Sequence, residues 1–357
     1  MDWLRKLSLL ALILLLPAAI TAQTVKFTTA NLQHGEGTDG VFSGPRQVTT
    51  LTATSPDIIF VQERTTGSTA WDSSLASAGY AEAVFRENAP LPSQGDGPAI
   101  WYRTSTVTIL QTQQTDLSVG FVGLDGSTDV DKAAVAVKAR VSGRDFWAVA
   151  PHLCWSQCAD SAGSTSSSKR VSQINTLLSW VNTITGGDPN VIIGGDLNFG
   201  PDYPGQKSLF ISAGYTDLWN AGITAGVATA NWGDRNSDSI ADMPVGDLNT
   251  RTHDTRRIDY FFVKTANTVF TLTAIDLPDL RISCPHGLVA GGALPSCSPE
   301  VVGGPTVSGM QWDIEDDFGV RPSDHNWLTL TMTLTAQGSN SHVKIRGPAT
   351  LRKGTIR

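Results

Sequence analysis

Eight polar residues stand at or near the ends of stretches that are rich in apolar and β-branched residues. In chain order they are Asn31, Glu63, His152, Asp196, Asn198, Asp259, Asp324 and His325. Side chains at the ends of several strands can converge on one pocket. Carboxylate, amide and imidazole groups are the types that bind divalent cations and transfer protons. The pattern therefore predicts a pocket that positions a water molecule for hydrolysis.

The elements that must position these residues are indicated by β-branched and aromatic stretches between turn residues. We predict strands over residues 25–30, 57–62, 99–102, 133–141, 146–150, 191–193, 258–263 and 327–334. Apolar residues at helical spacing predict helices over 169–185 and 206–213, the first capped by the serine-rich segment 164–168 and stopped by Gly186 and Gly187. Strands interspersed with helices and long loops indicate an α/β or α+β sandwich.

The first residues predict export. Arg5 and Lys6 precede an apolar run from Leu7 to Ile20, and small residues lead to Ala22, after which we expect cleavage of a signal peptide, residues 1–22. A retained membrane anchor is the alternative, but the run is shorter than the ~20 residues of a spanning helix. We expect a secreted or periplasmic protein without stable membrane insertion.

The 357 residues, 40% of them hydrophobic and 17% charged, can build one large core, which we assign to residues 23–335. The net charge is −7, and the segment 336–357, which we expect to be a disordered tail, carries five basic and no acidic residues. The body is therefore more acidic than the whole chain. Such a body is poorly suited to hold nucleic acid by counterion release, although a bound cation can reverse the local field at a phosphate ester.

Four cysteines in an exported chain predict two disulfides. Sequence proximity favours the pairs Cys154–Cys158 and Cys284–Cys297 among three possible connectivities. A zinc site built from His152 with the first pair, or from Cys284 and His286, is the alternative. Neither cluster has the paired spacing of common structural zinc sites.

The polar residues occur in short motifs whose order resembles that of the endonuclease/exonuclease/phosphatase superfamily, which includes secreted DNases, abasic-site nucleases, sphingomyelinases and inositol phosphatases. The motifs are Asn31, Gln62-Glu63, His152-Leu153, Gly195-Asp196-Leu197-Asn198, Arg257-Ile258-Asp259-Tyr260 and Ser323-Asp324-His325. Each motif alone is weak evidence for the family, because a single Asn, Asp or His more often has a structural role. The ordered set covers nearly the whole chain after residue 22.

The resemblance implies a four-layered α/β sandwich of two mixed β-sheets flanked by helices, with the pocket at one edge. It implies a metal-dependent phosphoesterase that acts on phosphodiesters such as nucleic acids, and we expect a monomer.

The resemblance also implies roles for individual residues. Glu63 is the principal ligand of Mg²⁺ or Mn²⁺, with Asn31 and Asp324 beside it. His152 contacts phosphate, Asp196 and Asn198 position the attacking water and the phosphoryl oxygens, and Asp259 orients His325. Whether His325 or Asp196 accepts the proton of the water stays open.

Two positions depart from the pattern of the relatives. Some relatives carry an acid two residues after the first Asn, where this chain has Gln33, and this weakens the case for a second metal ion. Secreted DNases pair the first histidine with a glutamate near the strand that holds Trp101, Tyr102 and Arg103, but no acid stands there. The sequence therefore leaves the orienting partner of His152 undetermined.

Two other functions compete with a nuclease-like diesterase. A sphingomyelinase-like lipid hydrolase needs an apolar hairpin that contacts the membrane, for which residues 286–312 are the candidate. They are rich in Gly and Pro rather than in aromatic residues. A binding module that has lost activity is the other alternative, but such a module would be free to lose any one of the motif residues.

The segment 234–242 has the spacing of a calcium-binding loop, with oxygen side chains at alternate positions. They are Asp234, Asn236, Asp238 and Asp242. The usual Gly and bidentate Glu of such loops are replaced by Ser239 and Val245. We expect weak structural Ca²⁺ binding here, with a solvated acidic loop as the alternative.

Overall fold

The computed structural model describes residues 23–32, 34, 44–65, 69–88, 96–118, 121–122, 128–129, 132–154, 165–200, 204–230, 258–277 and 327–335. All of them belong to one unit, Ala22–Thr335. The expected signal peptide, the basic tail and the calcium-binding loop lie outside the described residues. No helix in the described part of the chain is long and apolar enough to cross a membrane.

Most of the described residues form two mixed β-sheets. The strands are β1 Gln23–Asn31, β2 Ile58–Thr65, β3 Tyr80–Phe85, β4 Asp96–Arg103, β5 Val107–Asp116, β6 Phe121–Val122, β7 Thr128–Asp129, β8 Ala133–Val141, β9 Arg144–Pro151, β10 Val191–Asp196, β11 Tyr215–Asp217, β12 Ala228–Ala230, β13 Asp259–Lys264, β14 Phe270–Leu277 and β15 Leu328–Leu334. Seven of them form a sheet in the order β12-β14-β15-β1-β2-β4-β3, and six form a sheet in the order β11-β13-β10-β9-β8-β5. The short strands β6 and β7 pair with each other.

The described helices are α1 Gly44–Ala53, α2 Thr69–Ser77, α3 Ser166–Thr185, α4 Pro204–Ser212 and α5 Leu218–Ala225. Helices α1 and α2 bury apolar residues against the outer face of the seven-stranded sheet. Helices α3 and α4 do the same on the outer face of the six-stranded sheet. This arrangement confirms the expected four-layered sandwich.

The side chains of a strand point alternately to the two faces of its sheet, so one strand contributes both to the core between the sheets and to the core beneath the helices. In β2, Ile58 and Phe60 lie in the core between the sheets, whereas Ile59 and Val61 pack beneath the helices. Successive strand residues point to opposite faces, so a strand covered on both sides is a continuous apolar run. The runs 58–61 and 191–193 have this pattern, as interior strands require.

The prediction of helix 169–185 is confirmed, with its start three residues earlier. The Thr165 side chain accepts a hydrogen bond from the backbone N–H of Ser168, and Gly186 ends the helix in the left-handed conformation with φ 60°. The predicted helix 206–213 is α4. The structure adds three short helices that were not predicted, α1, α2 and α5.

Candidate active site

Four motif residues meet where the two sheets pack together. Asn31 ends β1, Glu63 lies in β2, His152 follows β9 and Asp196 ends β10. Strands β1 and β2 are parallel, as are β9 and β10, so the carboxyl ends of each pair lie at one edge. The Asn31 amide Nδ2 donates to Glu63 Oε1 at 3.0 Å and to Asp196 Oδ2 at 3.2 Å, which links the two sheets directly.

Glu63 is held by an irregularity within its strand. The predicted strand ends at residue 62, but β2 continues to Thr65 past a register shift between Val61 and Arg64. Glu63 has a φ of 55°, in the left-handed region that few non-glycine residues adopt. Such conformations recur at functional sites, where a bulge can redirect a side chain. Here the Glu63 carboxylate reaches the groups at the edge of both sheets.

Two glycines of β10 leave room for the neighbouring strands β9 and β13 of the same sheet. A Cβ on Gly195 would lie 2.3 Å from the carbonyl oxygen of Pro151, and a Cβ on Gly194 would lie 2.4 Å from the Phe261 ring. No side chain fits at either position without movement of the backbone or of the ring. The glycine pair therefore allows Asp196 to approach the loop that carries His152.

His152 is 1% exposed and lies among charged groups. Its Nε2 atom is 3.5 Å from Asp196 Oδ2 and 3.7 Å from Glu63 Oε1. The Lys132 Nζ atom is 3.4 Å from both ring nitrogens. The nearest charged neighbours of His152 are therefore two carboxylates and one lysine.

Sequence reasoning missed Lys132. It lies directly before β8, and it is only 4% exposed. Lysine is rarely so buried unless it is paired, so this position marks a charged environment. A single lysine before an apolar strand is too common in sequences to be noticed, and only its burial distinguishes it.

Asn198 positions Asp196. Its backbone N–H donates to Asp196 Oδ1 at 2.8 Å, and its side-chain Nδ2 donates to Asp196 Oδ2 at 3.1 Å and to the Leu153 carbonyl at 2.9 Å. The turn requires a φ of 51° at Asn198, a conformation that asparagine tolerates. Both Asp196 oxygens are thus held by one neighbour two residues away.

Asp259 is paired in register with Asp196 across the antiparallel strands β10 and β13, and it is 4% exposed. Directly opposite residues of such a pair share a face of the sheet. The carboxylate of Asp259 is therefore at the same edge as that of Asp196. Its predicted partner, His325, lies outside the described residues, as does Asp324.

Two further site residues, His34 and Asp96, were missed by the sequence patterns. His34 Nε2 is 3.3 Å from Glu63 Oε2, and His34 Nδ1 is 3.2 Å from Asp96 Oδ2. Asp96 begins β4, three residues before the predicted start of that strand. The signal in the sequence that could have indicated His34 is its place three residues after Asn31. It directly follows Gln33, the position at which some relatives carry an acid.

The electrostatics of this pair reflect its surroundings. Burial by itself would lower the pKa of His34, but the hydrogen bond to Asp96 and the negative charges of Glu63 and Asp96 raise it to about 9. Burial would raise the pKa of Asp96, but the hydrogen bond from His34 and the nearby Lys132 and His152 hold it well below its usual value. Without a bound cation, His34 is therefore a positive charge between two carboxylates.

Two groups of side chains have the composition of metal sites. The first is Glu63, His152 and Asp196, and the second is His34, Glu63 and Asp96; within each, the ligand atoms lie within 4.8 Å of one another. Carboxylate and amide oxygens of the predicted set, Asn31 and Glu63, suit Mg²⁺ or Mn²⁺. The residues present therefore fit a divalent cation.

The arginines nearest the site in sequence have structural partners. Arg64 Nε is 2.8 Å from Glu82 Oε2, and Arg64 Nη2 donates to Asp72. Arg103 donates to the Tyr80 hydroxyl at 2.9 Å. These contacts place Arg64 and Arg103 in structural hydrogen bonds and ion pairs of the seven-stranded sheet.

The cysteine pairings lie partly outside the described residues. Cys154 is buried and is not a free thiol. Cys158, Cys284 and Cys297 lie in segments that the structure does not describe. The same holds for the candidate apolar segment 286–312, so the two predicted pairings and the lipid-binding hairpin stay predictions.

The model of the Endonuclease/Exonuclease/phosphatase family matches residues 28–325 of this chain. A search of curated protein sequences found no match to this chain. The matched range includes every motif residue named above, from Asn31 to His325.

Solved structures share the fold at low identity. An endonuclease/exonuclease/phosphatase family protein from Bacteroides thetaiotaomicron is 16% identical, with a TM-score of 0.56 over 88% of this chain and 100% of that one. The human Nocturnin catalytic domain with bound sulfate is 15% identical, with a TM-score of 0.55 over 87% and 95%. A mannosyl-6-phosphatase of B. thetaiotaomicron is 15% identical, with a TM-score of 0.54 over 87% and 100%.

Proposed function

The chain belongs to the endonuclease/exonuclease/phosphatase family, whose members are generally hydrolases of phosphoester bonds, and from this premise we propose that it is a divalent-metal-dependent phosphodiesterase. The observation that carries the proposal is the convergence of Asn31, Glu63, His152 and Asp196 from four strand ends of two sheets. A purely structural cluster would not require two carboxylates and an imidazole beside a buried lysine.

Glu63 and Asn31 would hold the cation, with Asp324 as a third ligand. When bound, Mg²⁺ or Mn²⁺ neutralises charge on phosphoryl oxygens and supports displacement at phosphorus. The Asn31 Nδ2 atom already donates to Glu63 and Asp196, which orients the amide so that its carbonyl oxygen is the atom suited to a cation. The two residues thus act through hard oxygen atoms.

Asp196 would orient the attacking water through its carboxylate. Asn198 donates to both Asp196 oxygens, so the carboxylate cannot rotate away from the site. His152 and Lys132 would contact the phosphoryl oxygens, where preorganised donors in a buried site stabilise developing charge strongly. The substrate would thus contact hydrogen-bond donors of the six-stranded sheet and a cation held by oxygen atoms of the seven-stranded sheet.

Asp259 and His325 remain the candidate pair for proton transfer. The Trp327 indole Nε1 donates to the Asn31 carbonyl oxygen at 3.1 Å, and Trp327 is 1% exposed. His325 precedes Trp327 by two residues, and an extended chain covers at most ~3.6 Å per residue. This anchor supports a position for Asp324 and His325 close to Asn31. Either His325 or Asp196 would accept the proton of the water.

Export is part of the proposal. The tripartite segment 1–22 supports a secreted or periplasmic location, in which the two disulfides would form. The loop 234–242 would bind Ca²⁺ weakly.

The N-terminal sequence of the exported protein should begin at Gln23. Peptide mapping without reduction should find Cys154 joined to Cys158, and a bond from Cys154 to Cys284 would contradict the pairing.

Substrate class is tested by a panel of DNA, RNA, bis(p-nitrophenyl) phosphate, sphingomyelin and a sugar monophosphate. We expect hydrolysis of the phosphodiesters, its loss in EDTA, and its recovery when Mg²⁺ or Mn²⁺ is added. Preferred hydrolysis of the monoester would replace the diesterase with a phosphatase. Turnover that survives EDTA would contradict the metal-dependent mechanism.

A further inference from the structure

Gln173 is a buried polar residue of α3 that the proposed mechanism does not use. It is 3% exposed and lies next to Ile174, on the helix face that packs on the six-stranded sheet. Its amide is engaged at both ends. Oε1 accepts a hydrogen bond from the backbone N–H of Cys154 at 2.9 Å, and Nε2 donates to Ser118 Oγ at 3.0 Å. A buried amide is costly unless it is hydrogen-bonded, so these two contacts offset the burial of Gln173.

One end of this amide holds the loop that follows His152. Cys154, two residues after His152, is 1% exposed. Its carbonyl oxygen accepts a hydrogen bond from Arg170 Nη1 at 3.0 Å. Arg170 lies three residues before Gln173 on the same face of α3, and its Nε atom donates to Gln206 Oε1 of α4 at 3.1 Å. Helix α3 therefore fixes both backbone groups of Cys154.

The other end of the amide reaches the segment that carries Lys132. Ser118 Oγ, which accepts from Gln173 Nε2, also lies 3.5 Å from the backbone nitrogen of Lys132. The carbonyl oxygen of Lys132 accepts hydrogen bonds from the backbone N–H groups of Leu117 at 2.6 Å and of Ser118 at 3.4 Å. A serine oxygen has two lone pairs, so one hydroxyl can join both donors. Gln173 is thereby connected to the backbone of Lys132.

The two connected segments meet again in the pocket, where Lys132 Nζ lies 3.4 Å from both ring nitrogens of His152. Pairing of β8 with β9 joins the segments on one side, through a hydrogen bond from the His152 backbone N–H to the Ala133 carbonyl at 3.2 Å. Gln173 joins them on the side of the helix. A lysine ammonium stands on a flexible four-carbon stem, so its place in the pocket depends on how its backbone is held.

We propose that Gln173 is a positioning residue for the phosphate-contacting pair Lys132 and His152. It holds Cys154 and Ser118 at opposite ends of one amide, and thereby fixes the Lys132 backbone relative to the loop that carries His152. Donors that are preorganised around a phosphoryl group need no rearrangement during the reaction. The inference rests on the proposed function, which assigns Lys132 and His152 to the phosphoryl oxygens.

The test measures two quantities on the full chain, KM for bis(p-nitrophenyl) phosphate and the dissociation constant of inorganic phosphate by calorimetry. Gln173→Met and Ser118→Ala should each raise both by about 2–10-fold, as expected for loss of one neutral hydrogen bond. The Mg²⁺ concentration for half-maximal activity should not change, because Asn31 and Glu63 lie on the other sheet. Ser118 is only half-buried, so Ser118→Ala tests the proposal even if Gln173→Met does not fold.

Two control variants separate positioning from stability. Ser118→Thr keeps the hydroxyl and should keep the KM and the phosphate affinity of wild type. Val181→Ala removes apolar volume from α3 about two turns beyond Gln173, at a side chain that is 1% exposed. It should lower the melting temperature and leave KM unchanged, because it creates a cavity away from both hydrogen bonds. An equal rise in KM for Val181→Ala would make the role of Gln173 purely structural and overturn the proposal.

A double-mutant cycle with Lys132→Met tests the route of the effect. Residues that act through one another have non-additive effects. Gln173→Met should therefore raise KM much less in the Lys132→Met background than in wild type, because the ammonium that it positions is absent. Additive effects in the cycle, or wild-type KM and phosphate affinity in folded Gln173→Met and Ser118→Ala variants, overturn the proposal.

Phosphate binding separates this inference from the proposed function. If wild type binds phosphate but hydrolyses no phosphodiester, and Ser118→Ala weakens phosphate binding, the positioning role stands and the diesterase proposal fails. If phosphodiesters are hydrolysed and neither variant changes KM or phosphate affinity, the diesterase proposal stands and the positioning role is wrong. A wild type that neither binds phosphate nor hydrolyses a phosphodiester contradicts both.

Discussion

The two sheets contribute different chemistry to the same pocket. The seven-stranded sheet contributes amide and carboxylate oxygens, from Asn31, Glu63 and Asp96. The six-stranded sheet brings the cationic or potentially cationic groups Lys132 and His152, together with Asp196. Under the proposed function, the seven-stranded sheet would hold the metal ion, and the six-stranded sheet would hold the phosphoryl group and the attacking water.

This division shows why neither sheet could act alone. The metal ligands of the seven-stranded sheet alone would bind a cation but would offer no hydrogen-bond donors to the phosphoryl oxygens. The lysine and histidine of the six-stranded sheet alone would attract an anion but would have no cation beside them. The hydrogen bonds of Asn31 to Glu63 and to Asp196 connect the two halves at 3.0 and 3.2 Å. Side chains at Gly194 and Gly195 would crowd the facing sheet, because a Cβ at these positions would lie 3.2 Å from the Phe60 ring and 3.3 Å from Gln62 Nε2 of β2.

The largest effect is expected from Asp196→Asn on the six-stranded side. Loss of a carboxylate that orients or deprotonates water should reduce kcat by about 10²–10⁴-fold. Added metal should not restore activity, because the cation ligands on the other sheet are intact. Steady-state kinetics with bis(p-nitrophenyl) phosphate at saturating Mg²⁺ measure this, with Asp145→Asn as the control, because Asp145 pairs with Arg140 outside the site. A variant within about twofold of wild type would remove Asp196 from the mechanism.

Glu63→Gln on the seven-stranded side should act mainly through the metal. The amide keeps the shape of the side chain but loses its charge, so the metal concentration for half-maximal activity should rise by at least about tenfold, as weakened coordination predicts. Titration of activity with Mg²⁺ measures the shift. Glu82→Gln is the matched control, because Glu82 pairs with Arg64 outside the site. An unchanged metal requirement would contradict the division between the sheets.

Lys132→Met should weaken substrate binding. A hydrogen bond to a charged group contributes about 1.5–3 kcal/mol, so KM for a phosphodiester should rise by about tenfold or more while kcat changes less. The control is Lys138→Met on β8, the strand that Lys132 directly precedes, where the side chain is only half-buried. A rise in KM without a lower melting temperature distinguishes contact with substrate from a structural role. Equal effects of the two substitutions would refute the assignment.

The smallest effect is expected from Thr165→Ala, far from both halves of the site in sequence. It removes the side-chain cap of α3 and should lower the free energy of unfolding by about 1 kcal/mol, with kcat and KM unchanged. Urea unfolding followed by circular dichroism measures the change, and Thr165→Ser should retain most of the stability. Loss of activity in a folded Thr165→Ala variant would show that α3 also positions the site.

Much of the layered fold could be predicted from local patterns. Strand β8 has the bounds that its alternation predicts, and α3 ends at the predicted glycine. Strand β5 was missed because its second half, from Gln111 to Asp116, is a continuous polar run without an apolar signal, and β14 was also not predicted. Most of β5 is exposed at the edge of its sheet, where little burial is required.

The sequence by itself indicated the buried runs of the interior strands and the polar residues that follow them, because burial imposes a periodicity that neighbouring residues must share. It thereby identified Asn31, Glu63, His152 and Asp196. Only the tertiary structure decided that Lys132, His34 and Asp96 join them. Each is an ordinary charged residue in its own segment, and its chemistry depends on which distant side chains lie within a few ångströms. That distance is set by the pairing of strands within each sheet and by the packing of the two sheets, which bring together residues far apart in the chain.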